Sequence, residues 1–276
     1  MLRARVPEKL KELVEKFRLN EEHYKSHSFL ETQVRVEFIN PLVRLMGWDV
    51  DNEAGNSPEY KDVIHELHSG NRKHIDYVFK VGSEKKFLIE AKRPNEEVIG
   101  NGDHANQGKL YAWEAHIPLV VITDFEELAI YQGYREHRPE PQPQPADSAA
   151  TRLVFTCKYT DYAKYWSFLY SLLSKKSVML GLHDHLLRRL DEVKAKISES
   201  VYAFGEFNLL YSIAQSFGGE DYSVEQDIEI GEYLQATRPA HATDISMQEG
   251  VRSPLRIAAN SVSHAPAAFY LAPVYP

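Results

Sequence analysis

Apolar residues recur at a helical period near the start of the chain. Across residues 6–24 they alternate with lysine and glutamate, and the apolar positions are Leu10, Leu13, Val14 and Phe17. A repeat close to 3.6 residues predicts an amphipathic helix whose apolar stripe packs on the rest of the molecule.

A second helical segment follows this first helix. Ser28 and Glu31 are three residues apart, the spacing of a capping box, and apolar residues continue at helical intervals to about Met46. Gly47 then provides a residue that ends helices readily. We therefore predict a helix opened by Ser28 and Glu31 and closed at Gly47.

The middle of the chain alternates between strand and helix patterns, which is typical of an α/β fold. Residues 118–123 are apolar throughout and come directly after a helical segment, so we expect a buried strand that runs parallel to its neighbour. The other predicted elements are a short strand at 48–50, an edge or irregular strand at 60–67, a helix at 104–116, a strand at 127–132 and a strand-like run at 153–157.

Residues 73–94 form the central feature of this pattern. Two arms rich in β-branched and aromatic residues are interrupted by Gly82 and Ser83, which predicts a β-hairpin. A three-residue connection would pair Val81 with Lys85. Continuing that antiparallel register places Asp76 directly opposite Glu90.

Two facing carboxylates are unstable without a counter-charge. At a separation of about 5 Å and an effective dielectric near 20, their repulsion is roughly 3 kcal/mol. Lys92 lies two residues after Glu90, on the same face of the strand, but one lysine cannot neutralise both acids. Mg²⁺ is typically held by one or two carboxylates together with water and phosphate oxygens, so we expect Asp76 and Glu90 to bind a divalent cation.

Context distinguishes this Glu-x-Lys triplet from the other triplets of the same form. The chain contains four, beginning at Glu59, Glu84, Glu90 and Glu192. The triplet at Glu90 ends an apolar run, where a buried central strand would emerge, whereas the others lie in polar or turn segments. The alternative is a surface hairpin whose charges face water.

Composition limits the classes of protein that this chain can represent. A length of 276 residues with 43% hydrophobic residues permits a sizeable core, and no apolar run approaches the 18 residues of a membrane span. We expect a cytoplasmic protein with no membrane partner. Cys157 is the single cysteine and is interpreted as a buried structural thiol. A net charge of −8 argues against nonspecific coating of nucleic acid but permits a local basic strip near the hairpin.

Several motifs taken in order resemble a known family. They are Glu31 to Arg35 (ETQVR), Ile39 to Leu42 (INPL), Gly47 to Asp49 (GWD), Ile75-Asp76, Ile89 to Lys92 (IEAK) and Gln107-x-x-x-Tyr111. This series resembles the amino-terminal nuclease domain of type I restriction enzyme R subunits, and equally that of fused type IIG restriction-modification proteins. Both belong to the PD-(D/E)xK superfamily, and the similarity spans residues 28–182.

The resemblance implies an α/β fold with a restriction-endonuclease-like mixed central sheet flanked by helices, followed by a C-terminal helical extension. It implies that Asp76, Glu90 and the backbone carbonyl of Ala91 bind Mg²⁺ or Mn²⁺ and that Lys92 orients or activates the attacking water. It further implies that Gln107 and Tyr111 are needed for cleavage or for placing DNA.

Additional residues are expected at the edges of this site. Many metal nucleases carry a further acid on the helix before the hairpin, and Glu37 is the candidate, because the capping role already accounts for Glu31. The predicted contacts to backbone phosphates are Lys73, Lys85, Arg93 and Lys109.

The expected organisation is an N-terminal helix (1–27), a nuclease core (28–136), a proline-rich loop (137–151), a final strand with a helical extension (152–235) and a disordered tail (236–276). The GxxxxGK phosphate loop and a methyltransferase cofactor motif are not found, so neither an ATP nor an S-adenosylmethionine site is expected. The sequence thus predicts a metal-dependent DNA endonuclease that acts with separate restriction-modification subunits. The alternatives are a non-cleaving module that docks DNA or a subunit, and a truncated remnant of a larger restriction protein.

Overall fold

A six-stranded mixed sheet organises the molecule. The structure is a computed structural model that describes residues 1–69, 73–136, 141–147, 151–194 and 209–216. The predicted tail and part of the proline-rich loop lie outside these residues. The strands are β1 (Val63–Ser69), β2 (Lys73–Val81), β3 (Glu84–Ala91), β4 (Leu119–Thr123), β5 (Glu127–Gln132) and β6 (Leu153–Lys158).

The strands lie in the order β1-β2-β3-β4-β5-β6, so every strand is next to its neighbour in sequence. Only β3 and β4 pair in parallel, with Glu90 beside Ile122, and the other four pairings are antiparallel. A parallel pair needs a crossover, and the helix Gly102–Glu114 supplies it. The predicted α/β class, the mixed sheet and the parallel strand at 118–123 are confirmed.

Helices cover both faces of the sheet. They are α1 (Glu8–Leu19), α2 (Glu21–Tyr24), α3 (Glu31–Val34), α4 (Asn40–Leu45), α5 (Gly102–Glu114), α6 (Tyr162–Leu173), α7 (Lys175–Met179), α8 (Leu182–Lys194) and α9 (Leu209–Ser216). A π-helical turn, Arg35–Ile39, joins α3 to α4. None of the helices that the structure describes is both long and apolar enough to cross a membrane.

The alternating side chains of the strands build two cores. Tyr77, Phe79, Phe87 and Ile89 point to the face covered by α1, α4 and α6 to α8. The opposite face, covered by α5, buries apolar residues such as Val78, Leu88, Val120 and Ile122. Residues on both sides of β3 are therefore removed from water, as a continuous apolar run in a central strand predicts.

The first helices differ from the prediction in two places. The second helix begins at Glu31 with Leu30 as its N-cap, and the Leu30 backbone amide donates to Gln33 Oε1 at 2.8 Å. Ser28 Oγ instead lies 2.9 Å from Ser26 Oγ. The predicted capping box of Ser28 and Glu31 is thus wrong, and the Glu31 carboxylate has another environment. Residues 48–50 form no strand and lie in an irregular segment that leads into a turn.

The hairpin forms as predicted at its open end but not at its turn. Val81 pairs with Glu84, so the turn contains two residues, and Gly82 has the positive φ of 60° expected at the first position of a type II′ turn. A β-bulge at Lys86 then inserts one residue into β3. The bulge restores the predicted register beyond it, because Tyr77 pairs with Ile89.

Candidate active site

The predicted acids and lysine meet at the open end of the hairpin. The pairing of Tyr77 with Ile89 leads directly to Asp76 on β2 and Glu90 on β3. Asp76 Oδ2 accepts a 2.8 Å hydrogen bond from the Ala91 backbone amide, and Lys92 Nζ donates to Glu90 Oε1 at 2.9 Å. All three side chains are buried, with whole-residue exposures of 9% for Asp76, 4% for Glu90 and 7% for Lys92.

Helix α5 supplies the amide and phenol of the site. Gln107 Nε2 donates to Glu90 Oε1 at 3.1 Å and lies 2.7 Å from Tyr111 Oη, so the predicted pair shares one helical face directed at Glu90. This approach depends on Gly108. A Cβ there would come within 2.9 Å of Val120 Cγ1 on β4, so a larger residue would push the helix off the sheet.

Burial dominates the electrostatics of the two acids. The pKa of Glu90 is raised to about 7, chiefly by loss of water, with Lys92 opposing the shift and the nearby Asp76 carboxylate adding to it. Burial also raises the pKa of Asp76, against the Ala91 amide and Arg35. Burial lowers the pKa of Lys92, but Glu90, Glu31 and Asp76 together reverse this effect, so its net shift is upward. Lys92 is therefore an ammonium at neutral pH.

The donor atoms are suited to a hard divalent cation. Glu90 Oε2 is buried without a hydrogen-bond partner, which is costly for a carboxylate oxygen unless something else satisfies it. Across the part of the chain that is described, no three His, Cys, Asp or Glu side chains converge into a closed ligand set. Two carboxylates and a backbone carbonyl leave positions for water and phosphate, which is how Mg²⁺ is usually held, whereas a closed zinc site needs four protein ligands.

Glu31, and not Glu37, is the helix acid that lies near the site. Glu37 pairs with Lys16 at 2.8 Å, and the predicted role of Glu37 as a metal ligand is not supported by this position. Glu31 lies one helical turn before Arg35, which contacts Asp76. Burial, followed by the charge of Asp76, raises the pKa of Glu31. The sequence offered Glu31 as a candidate acid and set it aside for a capping role, which the structure gives to Leu30 and Gln33 instead.

Sequence analysis did not assign a role to Arg35. Its guanidinium lies in the π-helical turn, 3.4 Å from Asp76 Oδ1 and 3.2 Å from Tyr77 Oη. His104 was also missed. It lies on the helical face of Gln107, pairs with Glu96 at 3.2 Å and has a pKa lowered by burial and then by Lys92.

The predicted phosphate contacts are only partly compatible with the structure. Lys109 is fully buried, and burial lowers its pKa to about 8 while its amine donates to the Thr151 carbonyl, so it cannot reach DNA. Lys85 donates to the Ala115 carbonyl at 3.2 Å, and it lies five residues, or about 17 Å, along β3 from Glu90. The prediction for Lys109 is wrong, whereas the phosphate contact of the partly exposed Lys85 stays a prediction. Arg93 is half-buried beside Lys92, and the Lys73 side chain lies outside the described part of the chain.

Comparison with known proteins identifies a relative among restriction enzymes. The chain is 29% identical over 183 residues to the type II restriction enzyme and methyltransferase RM.Eco57I of Escherichia coli. The matched region covers 64% of this chain and 18% of that protein, so the chain corresponds to a small part of its relative. No family model matches the chain, and no solved structure is similar to it.

Proposed function

We propose that this chain is the nuclease part of a restriction system and hydrolyses phosphodiester bonds in DNA with a divalent cation. The observation that carries the proposal is that two buried acids, Asp76 and Glu90, lie side by side next to the ammonium of Lys92. One oxygen of Glu90, Oε2, has no hydrogen-bond partner. Similarity to a restriction enzyme supports the same class of reaction. The order of Asp76, Glu90 and Lys92 on the hairpin is typical of the PD-(D/E)xK superfamily.

Asp76, Glu90 and the carbonyl of Ala91 would hold Mg²⁺ or Mn²⁺. The cation would neutralise charge on the scissile phosphate and lower the pKa of a water molecule. Glu31, whose pKa is raised by burial and by the charge of Asp76, would add negative charge at the same end of the sheet without being a direct ligand.

Lys92 would act as a hydrogen-bond donor rather than as a base. Its acidic neighbours raise its pKa, so it has no free lone pair at neutral pH. One of its three N–H groups is used by Glu90 Oε1, and the others can orient the attacking water or stabilise charge that develops on the phosphate. Gln107 donates to the same oxygen, Glu90 Oε1, and so helps to leave Oε2 for the cation.

The reaction of the relative is assigned here only in part. Its name includes methyltransferase activity, but the match covers 18% of its length. The residues described above supply groups for phosphodiester hydrolysis, and the proposal is confined to that reaction.

The test is nicking of supercoiled plasmid DNA by the purified chain with Mg²⁺, with Mn²⁺ and with EDTA. We expect cleavage that requires the cation and is lost in Asp76→Ala and Lys92→Ala. Glu31→Gln is expected to cleave about tenfold more slowly, since it removes a charge near the metal ligands. Glu37→Gln is the matched control on the same helical segment and should cleave like the wild type.

Equal nicking by the wild type and by Asp76→Ala would identify a contaminant and remove the proposal. DNA binding that needs no metal and is never followed by cleavage would favour the non-cleaving docking module instead.

A further inference from the structure

Arg35 is held rigidly on one side of its guanidinium. Nε donates to Tyr77 Oη at 3.2 Å, and the Tyr77 hydroxyl in turn donates to Asn40 Oδ1 at 2.7 Å. The guanidinium carbon lies 4.8 Å from the centre of the Tyr77 ring, a cation–π distance. The π-helical turn Arg35–Ile39, an irregularity often found at functional sites, carries the side chain to this position.

The other side of the guanidinium is only weakly engaged. Nη1 lies 3.4 Å from Asp76 Oδ1 and 3.7 Å from Glu66 Oε1, both long for contacts of an arginine with a carboxylate. Nη2 makes no hydrogen bond to any residue in the described ranges, and the side chain is 15% exposed. A planar group with five donors is therefore positioned beside Asp76 with donors still available.

The purely structural role for Arg35 is to neutralise Asp76. A guanidinium in that role normally makes a short bidentate contact with the carboxylate. Here Asp76 Oδ2 is taken by the Ala91 amide, and the second carboxylate near Arg35, Glu66, is 65% exposed. Neutralising Asp76 therefore leaves most of the guanidinium unused.

We propose that Arg35 binds the backbone phosphate of DNA next to the scissile phosphate, which would lie at Asp76. The positive charge of Arg35 then weakens cation binding at Asp76 until DNA is present. The inference rests on the proposed function. A phosphate presents the planar, doubly accepting edge that a guanidinium fork fits. With DNA absent, a positive charge beside a metal ligand repels an incoming cation.

The first experiment measures binding of a fluorescent DNA duplex by anisotropy in EDTA, over a series of salt concentrations. Arg35→Gln is expected to bind about tenfold more weakly and to reduce the slope of log affinity against log salt by about one, because one phosphate contact is lost. Arg35→Lys keeps the charge but not the fork, so we expect a smaller loss of affinity and a slope like that of the wild type.

Arg44→Gln is the matched control. Arg44 lies on α4, pairs with Asp51 and is 43% exposed, so the variant removes the same charge from the same helical segment away from Asp76. Its DNA affinity and salt slope should equal those of the wild type. Thermal unfolding by circular dichroism checks that every variant is folded.

The second experiment measures binding of Mn²⁺ by calorimetry without DNA. Arg35→Gln should bind Mn²⁺ several-fold more tightly than the wild type, whereas Arg35→Lys and Arg44→Gln should not. Weaker DNA binding combined with tighter metal binding is a signature that simple loss of structure does not produce.

Two results would overturn this inference while leaving the proposed function intact. One is a wild type that cleaves DNA while Arg35→Gln keeps the same salt slope as Arg44→Gln. The other is unchanged or weaker Mn²⁺ binding in folded Arg35→Gln. A wild type that neither binds nor cleaves DNA removes both this inference and the proposed function.

Discussion

Strand β3 begins and ends with the same Glu-x-Lys triplet, and the two triplets have different environments. At the turn end, Lys86 Nζ lies 2.7 Å from Glu84 Oε2 and about as close to both carboxylate oxygens of Asp184 on α8, at 3.1 and 3.0 Å. The Glu84 side chain is 60% exposed. At the open end, the Glu90 side chain is 5% exposed, and one of its oxygens has no partner.

The two triplets share the same residues, so the motif does not distinguish them. What separates the structural triplet from the candidate catalytic one is whether its charged groups are neutralised by neighbouring residues or by water. The ammonium of Lys86 is neutralised by Asp184 and by the exposed Glu84. The turn end therefore needs no additional ligand to balance its charges. Glu90 is buried next to Asp76 with too little positive charge, which raises its pKa. Groups kept in such an unfavourable state are candidates for a functional site.

The largest expected difference between the two ends is in cleavage. Glu90→Ala removes the proposed metal ligand and the hydrogen-bond partner of Lys92, so plasmid nicking in Mg²⁺ should fall by at least roughly 10³-fold. Glu84→Ala removes the same side chain from the turn end and should cleave within about twofold of the wild type. Similar losses in both variants would mean that the hairpin matters for folding only.

The next effect is on the pH dependence of stability without metal. Glu90 has a pKa near 7 in the native state and about 4.3 when unfolded, so the native state holds its proton more tightly between these values. Raising the pH across that range removes the proton and lowers the free energy of unfolding, by up to roughly 4 kcal/mol from this group.

Urea unfolding between pH 4.5 and 8 in EDTA measures this contribution. The decline in stability should be smaller in Glu90→Gln than in the wild type, while Glu84→Gln should follow the wild type. If the wild type and Glu90→Gln show parallel pH profiles, the raised pKa of Glu90 is contradicted.

A smaller effect separates the two lysines. Lys86→Ala removes the buried ammonium that donates to both carboxylate oxygens of Asp184 on α8, and we expect a loss of about 2 kcal/mol in unfolding free energy. Lys92→Ala should cost less than about 1 kcal/mol at pH 6, because Glu90, with a pKa of about 7, is mostly protonated at that pH and needs no counter-charge. Urea unfolding at pH 6 compares the two. A larger cost for Lys92→Ala would show that its hydrogen bond to Glu90 is structural.

The smallest expected effect concerns the turn. Gly82→Ala meets no atom within 4 Å but must keep a positive φ, so we expect a cost of about 1 kcal/mol. Ser83→Ala, at the other turn position, is the control and should be neutral, since Ser83 does not have a positive φ. Nicking at temperatures where both variants are folded should be unchanged. Equal stability of the two variants would contradict the two-residue turn.

Local patterns in the sequence determined most of the fold. The apolar run at β4 required burial on both faces, and its position after a helix required a parallel crossover, so the mixed sheet followed. The alternation of side chains on β2 and β3, together with the spacing of Gln107 and Tyr111, brought the five principal site residues together. These features depend on period and short-range spacing, which the sequence contains directly.

Only the tertiary structure decided how buried the charges are and which partners they have. The sequence does not reveal the bulge that puts Lys86 beside α8 and keeps Asp76 level with Glu90 despite a shorter turn. Nor does it reveal that Lys109 is enclosed, that Glu37 pairs with Lys16, or that Arg35 rests on Tyr77. The energy of a charge depends on its distance from other charges and from water, and both are set by segments far apart in the chain.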